Sequence, residues 1–420
     1  MSAGGELCSE TNDLLLYGLR MTSYAPTRRG FLTAAAALVG AAVAPDHVWR
    51  AAPASAASPF ILKPTPPAYF TDFGTNAEMR WASVAPQRYL TPQSRLFVRN
   101  HTRTPQVDRS TYALRVYGDG LETPRGEGEA LSLSFADLQR LPHHELTAVV
   151  ECTGNGRSYF RTQQGQAVSG TAWTLGAVGT VRWSGVRLRD VLASVGLSSD
   201  AVSIQATGLD DPFVSGGTDH GRVRRPFPVE KALDDALLAW GINGEDLLPD
   251  HGYPLRLVLP GWVGIASIKW LGSLEVSTTQ LTSPWNTTFY RMVGPEWPAD
   301  SPPLTVNPVR SAWELAPDQV LPSRPVTLTG RSWSGAGRIT RVSVSLDGGA
   351  TWRPAVLDPR SREDEGWTQW SVRWGNPRPG RHELLARATD EQGRTQPLVA
   401  AFNTQGYFFD AVVRHPVQVV

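Results

Sequence analysis

Beyond Ser301-Pro302-Pro303 the hydrophobic pattern of this 420-residue chain changes its period. Val326-Thr327-Leu328, Val342-Ser343-Val344-Ser345-Leu346 and Trp370-Ser371-Val372-Arg373-Trp374 alternate apolar and polar residues, as strands with one buried face do. Asp347-Gly348-Gly349 offers a tight turn between strands. About 110 residues of short alternating strands predict an immunoglobulin-like β-sandwich over residues 306–420. Before that point the pattern is mixed, so the expected fold class is α+β: a mixed α/β domain over 58–305, then the sandwich. A chain of this length accommodates such a division.

Within the first domain, residues 58–95 are rich in proline and turn formers and are expected to wrap the surface. Residues 96–98, 112–116, 146–150 and 255–259 read as strands. Ser134-Phe135-Ala136-Asp137 opens a helix with a capping pair, closed by Pro142. Residues 188–195 and 230–240 read as helices, stopped by Gly196 and Gly241.

Composition mainly excludes. A formal net charge of +1 argues against nucleic acid as a partner. The two cysteines, Cys8 and Cys152, cannot build a disulfide scaffold, a four-thiolate zinc site or an Fe–S cluster. No C-x-x-C-H haem attachment, phosphate-binding P-loop, H-E-x-x-H or dinucleotide-binding glycine motif is present.

The first 57 residues read as a leader. Thr27-Arg28-Arg29-Gly30-Phe31-Leu32 is followed by an apolar run of about a dozen residues, where a membrane span needs roughly 20. Ala54-Ser55-Ala56 resembles a cleavage site. The whole resembles a twin-arginine export signal, which predicts a periplasmic or other extracytoplasmic protein with no membrane span in the mature chain. Met21 is an alternative start. Removal of the leader takes Cys8 with it.

Cys152 then stands alone, at the end of a strand and before the loop Thr153-Gly154-Asn155-Gly156. Three readings are open: an inert buried thiol, a nucleophile served by His101, His143, His144 or His251, or a soft-metal ligand completed by a cofactor. Phe97-Val98-Arg99-Asn100-His101, His251-Gly252-Tyr253-Pro254-Leu255-Arg256 and Ile268-Lys269-Trp270 each set a cation or donor beside a strand. Singly they read as surface charges; together they would make a pocket for a phosphate-bearing cofactor and a small oxyanion.

These segments, with residues 151–157, 176–186 and 263–270, occur in one order that resembles the molybdopterin-dependent sulfite oxidase family. The tail resembles that family's immunoglobulin-like dimerisation domain, through residues 342–352, Arg387-Ala388-Thr389-Asp390 and Gln396-Pro397. The resemblance implies a molybdenum–molybdopterin cofactor with Cys152 as the metal's thiolate ligand. It assigns Phe97, Val98, Arg99, Asn100, His101, Asp210, His251, Arg256, Ile268 and Lys269 to the pterin and its phosphate. Arg99, Arg157, Trp173 and Tyr290 would form the substrate pocket.

By the same resemblance the activity is oxidation of sulfite to sulfate by oxo transfer at molybdenum, in a homodimer. Only roughly 40 residues separate the leader from Phe97, too few for a haem domain. The expected electron acceptor is therefore a separate carrier such as a c-type cytochrome, or oxygen. Alternatives are a sulfoxide or nitrate reductase on the same fold, or an exported binding module without metal. Animal-type members are expected to add an anion-binding arginine between C-terminal tryptophans, where this chain reads Trp367-Thr368-Gln369-Trp370, with Arg373 nearby. The loop 216–225 departs from the family's text and is expected to add cations near the pocket.

Overall fold

The computed structural model describes residues 60–84, 88–362 and 366–420. The leader, with Arg28, Arg29 and Cys8, lies outside the described residues. Two five-stranded sheets build the first half. In one, Arg224–Pro228, Ser203–Gly208, Leu271–Ser277, Ala113–Tyr117 and Leu131–Ser134 lie side by side, and only the Leu271–Ser277/Ala113–Tyr117 pair is parallel. In the other, Glu245–Asp246, Leu237–Ile242, Val178–Arg187 and His143–Glu151 run in that order, with Arg256–Val258 also paired to Leu237–Ile242.

The second half is a sandwich of a four-stranded and a five-stranded sheet. Thr368, Trp370, Val372 and Trp374 are all buried, the period-two pattern read from the sequence. Both halves share one apolar seam. Trp81 packs on Trp333 and Trp367 at ring separations of 6.1 and 5.6 Å, with Phe160 and Phe409 in the same cluster. Tryptophans at a seam bury large area with few rotatable bonds, which fixes one half against the other.

Local signals translate directly where they are strong. Ser134 makes a full capping box with Asp137 and starts the helix Phe135–Gln139. The helix Leu188–Val195 buries Leu188, Val191 and Leu192 and ends at Gly196, whose φ of 80° is a left-handed cap.

Two expectations fail. The helix expected over 230–240 is the short helix Val229–Asp234 followed by the strand Leu237–Ile242. Ala236, Leu237, Leu238 and Ala239 are all buried, and a continuous apolar run suits a strand enclosed on both faces as well as a helix. Residues 58–95 are also more than a surface wrap. Phe70–Asp72 and Asn76–Met79 pair with Val98–Arg99 in a three-stranded sheet, and Lys63 and Glu78 are buried. The expected strand 96–98 shrinks to Val98–Arg99 as the edge of that sheet.

Candidate active site

Cys152 follows the last residue of the strand His143–Glu151 and is buried. Its amide donates to the carbonyl of Ala177 at 2.9 Å, and its own carbonyl accepts from Asn155 at 2.9 Å, which turns the chain back. Gly156, at φ 84°, completes the turn in a conformation that L side chains resist. The fully buried Asn155 holds the loop from inside. Its amide nitrogen donates to Glu151 Oε1 at 2.8 Å, and its oxygen accepts from the Ala177 amide at 3.1 Å. Behind Cys152, Glu78 accepts from the Thr174 hydroxyl at 2.6 Å and the Gly176 amide at 2.7 Å.

One cavity gathers most of the residues singled out in the sequence. Phe97, Arg99, Asn100, His101 and Cys152 line it, as do Asp210, His251, Arg256, Ile268, Lys269 and Tyr290. Val98 does not, because strand alternation turns it into a small core with Ile61, Phe70 and Ala77. Trp173 does not line it either. It is fully buried behind Phe97, edge to face at 6.4 Å, so it backs a wall rather than meeting a substrate. Arg157 is buried just outside the lining.

His101 sits where three groups converge. Its Nε2 lies 2.9 Å from Arg99 Nη2, 3.3 Å from the Trp285 indole nitrogen and 3.4 Å from the Tyr290 hydroxyl. A guanidinium and an indole can only donate, so Nε2 is the acceptor and the ring is neutral. Burial, reinforced by Arg99 and Lys269, holds its pKa well below the ordinary histidine value. Burial also raises the Tyr290 hydroxyl, with Arg99 opposing. The remaining histidines do not serve Cys152. His143 and His144 lie at the opposite end of the nine-residue strand, roughly 25 Å away. His251 is engaged with Lys63 at 3.3 Å.

The far end of the cavity is rich in cations. Arg256 is held by the carbonyls of His251 and Ser267 at 3.0 and 2.9 Å, and Lys269 reaches Asn100 Oδ1 and the Asp250 carbonyl. Lys63, absent from the sequence reading, is fully enclosed and donates to the carbonyls of Gln93 and Leu96. Burial lowers Lys63 to about 7 and Arg256 to about 9, and pushes Lys269 well below the lysine range. Asp250, also missed, accepts from the Lys63 amide at 2.6 Å and the Thr104 hydroxyl at 2.5 Å. No motif marks either residue. Their only sequence signal is a lysine among prolines and an aspartate one position before His251.

Of the cations in the loop 216–225, Arg222 is near enough to oppose the rise of the Asp210 carboxyl, which lines this cavity, whereas Arg224 and Arg225 are engaged elsewhere. Arg225 is buried against the carbonyls of Trp285 and Leu304, and Arg224 lies over the Trp285 ring at 5.8 Å. Both brace the indole that donates to His101. Trp367 is buried in the inter-half seam and Arg373 points to solvent, so neither reaches the cavity. The C-terminal residues that do approach it are 403–409.

Residues 101–285 match the oxidoreductase molybdopterin binding domain, and 306–419 the Mo-co oxidoreductase dimerisation domain. Sulfite oxidase of Gallus gallus is 37% identical over 336 residues, which cover 75% of this chain and 70% of that protein. The chain belongs to the sulfite oxidase family. Human mitochondrial sulfite oxidase is 37% identical over 77% of this chain, which spans 61% of the human protein's length. The nitrate reductase of Ulva prolifera is 30% identical over 79% of the chain and 40% of that protein. Among solved structures, the sulfane dehydrogenase SoxCD of Paracoccus pantotrophus has a TM-score of 0.71 at 27% identity, covering 88% of this chain and 94% of that one.

The cofactor of this sulfite oxidase family member is molybdenum bound to molybdopterin, and the cavity suits it. Asp210 Oδ1 is buried without a hydrogen-bond partner, and burial raises this carboxyl to about 6. It lacks what pterin ring N–H groups provide. Arg256 and Lys269 line the cavity as donors whose charged forms burial disfavours and a phosphate would stabilise, with the neutral His251 beside them. Cys152, the one cysteine among the described residues, offers a soft thiolate.

Proposed function

We propose that this sulfite oxidase family member oxidises sulfite to sulfate. Sulfite and water give sulfate, two protons and two electrons, which pass to a separate acceptor such as a c-type cytochrome. The observation that carries the reading is that Arg99, Tyr290 and Cys152 share one cavity, with Arg157 near enough to act on the Tyr290 hydroxyl. Cys152 would hold the metal; Asp210, His251, Arg256, Ile268, Lys269 and the 97–101 segment would hold the pterin and phosphate. The bound cofactor supplies two-electron oxo-transfer chemistry. Arg99 and Arg157 bind the oxygens of sulfite and offset its charge as it enters a desolvated site. Tyr290, kept protonated by burial, carries one O–H, which His101 Nε2 accepts until substrate takes it instead, and the neutral His101 aligns Arg99 by accepting from its Nη2.

Nitrate reduction is a second reading, favoured by the similarity to nitrate reductases. Two assays separate the two. Sulfite-dependent reduction of cytochrome c is expected. Nitrate- or sulfoxide-dependent oxidation of a reduced viologen dye, with no sulfite activity, would overturn the proposal.

The twin-arginine motif at Arg28 and Arg29 supports export to the periplasm. Replacing both by lysine should retain the protein in the cytoplasmic fraction. The match to a dimerisation domain over 306–419 supports a homodimer, which light scattering after size exclusion would test.

A further inference from the structure

Arg157 sits in a slot that leaves its guanidinium little freedom. A Cβ on Gly154 would come within 2.6 Å of Arg157 Cζ, one on Gly170 within 2.9 Å of Nη1, and one on Gly406 within 2.7 Å of Cγ. Gly170 and Gly406 also have φ of 98° and 61°, where side chains are strained. Within the slot, Nε donates to the Gln405 carbonyl at 2.9 Å and Nη1 to the Thr171 carbonyl at 3.0 Å. The Tyr407 ring lies 5.3 Å from Arg157 Cζ and stacks on Tyr290 at 5.1 Å, with 16° between planes. Nη2 has no hydrogen-bond partner among the described residues, which leaves one charged N–H group for an anion.

The segment that closes this slot is self-supporting. The side chain of Asn403 donates to the Tyr407 carbonyl at 2.7 Å and accepts from the Tyr407 amide at 2.9 Å, pinching 403–407 into a loop. Thr404 donates to the Val293 carbonyl at 2.7 Å, and Phe408 donates to the carbonyl of Thr153, next to Cys152. Nearly 250 residues of sequence separate Arg157 from its Gln405 acceptor, so the C-terminal half reaches back to hold a group of the first half.

We infer that residues 403–409 form a brace that fixes Arg157 for anion binding, with Tyr407 and Gly406 as positioning residues. The inference rests on the proposed function, in which Arg157 binds the sulfite oxygens. Two carbonyls and an aromatic face consume the directions in which the guanidinium could turn, leaving one edge for the substrate. Substrate affinity in the first half is thereby set by a C-terminal tyrosine that need not touch the substrate.

The test uses the molybdenum-loaded full-length protein and two measurements: sulfite kinetics and calorimetric titration with sulfate, the product anion. Tyr407→Leu removes the ring under the guanidinium. It should raise both the KM for sulfite and the Kd for sulfate about 10-fold, with a smaller change in kcat and unchanged molybdenum and pterin content. Tyr407→Phe keeps the ring and should restore both values to within about twofold. In an Arg157→Ala background, Tyr407→Leu should add almost nothing, because the residue it positions is gone. Should Tyr407→Leu fail to fold, Gly406→Ala crowds Arg157 at Cγ and Nε and is read in the same way. Wild-type affinity for both anions in these variants, or effects that multiply with Arg157→Ala, would overturn the brace. Absence of sulfite turnover in the wild-type protein would instead overturn the proposed function, and the sulfate titration would still decide the brace.

Discussion

Arg310, on the first strand of the C-terminal sandwich, lies 3.1 Å from Glu151, the residue before Cys152, with both side chains 2% exposed or less. Its Nη1 also donates to the Asn155 carbonyl at 2.5 Å. One buried cation from the second half therefore clamps both ends of the turn that carries the cysteine. Burial raises the Glu151 pKa and Arg310 opposes that rise, so the carboxylate depends on its partner.

Arg310→Met should accordingly destabilise the protein by about 3–5 kcal/mol, since it leaves a buried carboxylate unpaired. Cofactor retention should fall as the loop loosens. Adding Glu151→Gln should recover part of the stability. Chemical denaturation of the single and double variants checks this; equal stability of Arg310→Met and wild type would contradict it.

Cys152→Ser should abolish turnover while the fold and the pterin content persist, because Asn155, Glu151 and the 2.9 Å bond to Ala177 shape the loop without the sulfur. Turnover alongside molybdenum and pterin analysis decides the point. Wild-type activity in this variant would remove Cys152 from the chemistry.

Trp173→Phe separates packing from substrate contact. Trp173 is fully buried behind Phe97, so the change should cost about 1–3 kcal/mol of stability. The KM for sulfite should move less than about threefold. A large KM effect with unchanged stability would place the indole against the substrate after all.

Asp210 gives a pH signature in the cofactor-free protein. Its carboxyl titrates near 3.8 when exposed and is raised to about 6 by burial. Between those values the unfolded chain has released the proton that the folded chain still holds, so stability falls as pH rises through this window. By pH 7 the loss amounts to up to about 3 kcal/mol. Asp210→Asn should lack this slope and be the more stable protein at pH 7. Parallel denaturation curves across pH 4–7 provide the measurement.

Much of the site was legible because its parts are contiguous. The 97–101 segment, the turn after Cys152, and the stretches at 251–256 and 268–269 each write their donors within a few residues. The cavity draws lining residues from every one of these segments, while Val98, by its strand position, turns away. Trp173, Arg224 and Arg225 looked equally suitable by residue type. Their placement depends on which face each segment buries, and adjacent residues do not encode that.

The sequence alone determined the elements with strong local signals: the helix between Leu188 and Gly196, the period-two strands after residue 320, and the isolation of Cys152. Tertiary structure alone decided that Lys63 is buried, that residues 237–242 form a strand, and that Gln405 and Tyr407 hold Arg157. The reason is physical. Periodicity and caps act between neighbours along the chain, whereas desolvation and charge pairing act between groups that only folding brings together. The Arg157–Gln405 and Arg310–Asn155 bonds close over 248 and 155 residues, and no local pattern can specify partners at that distance.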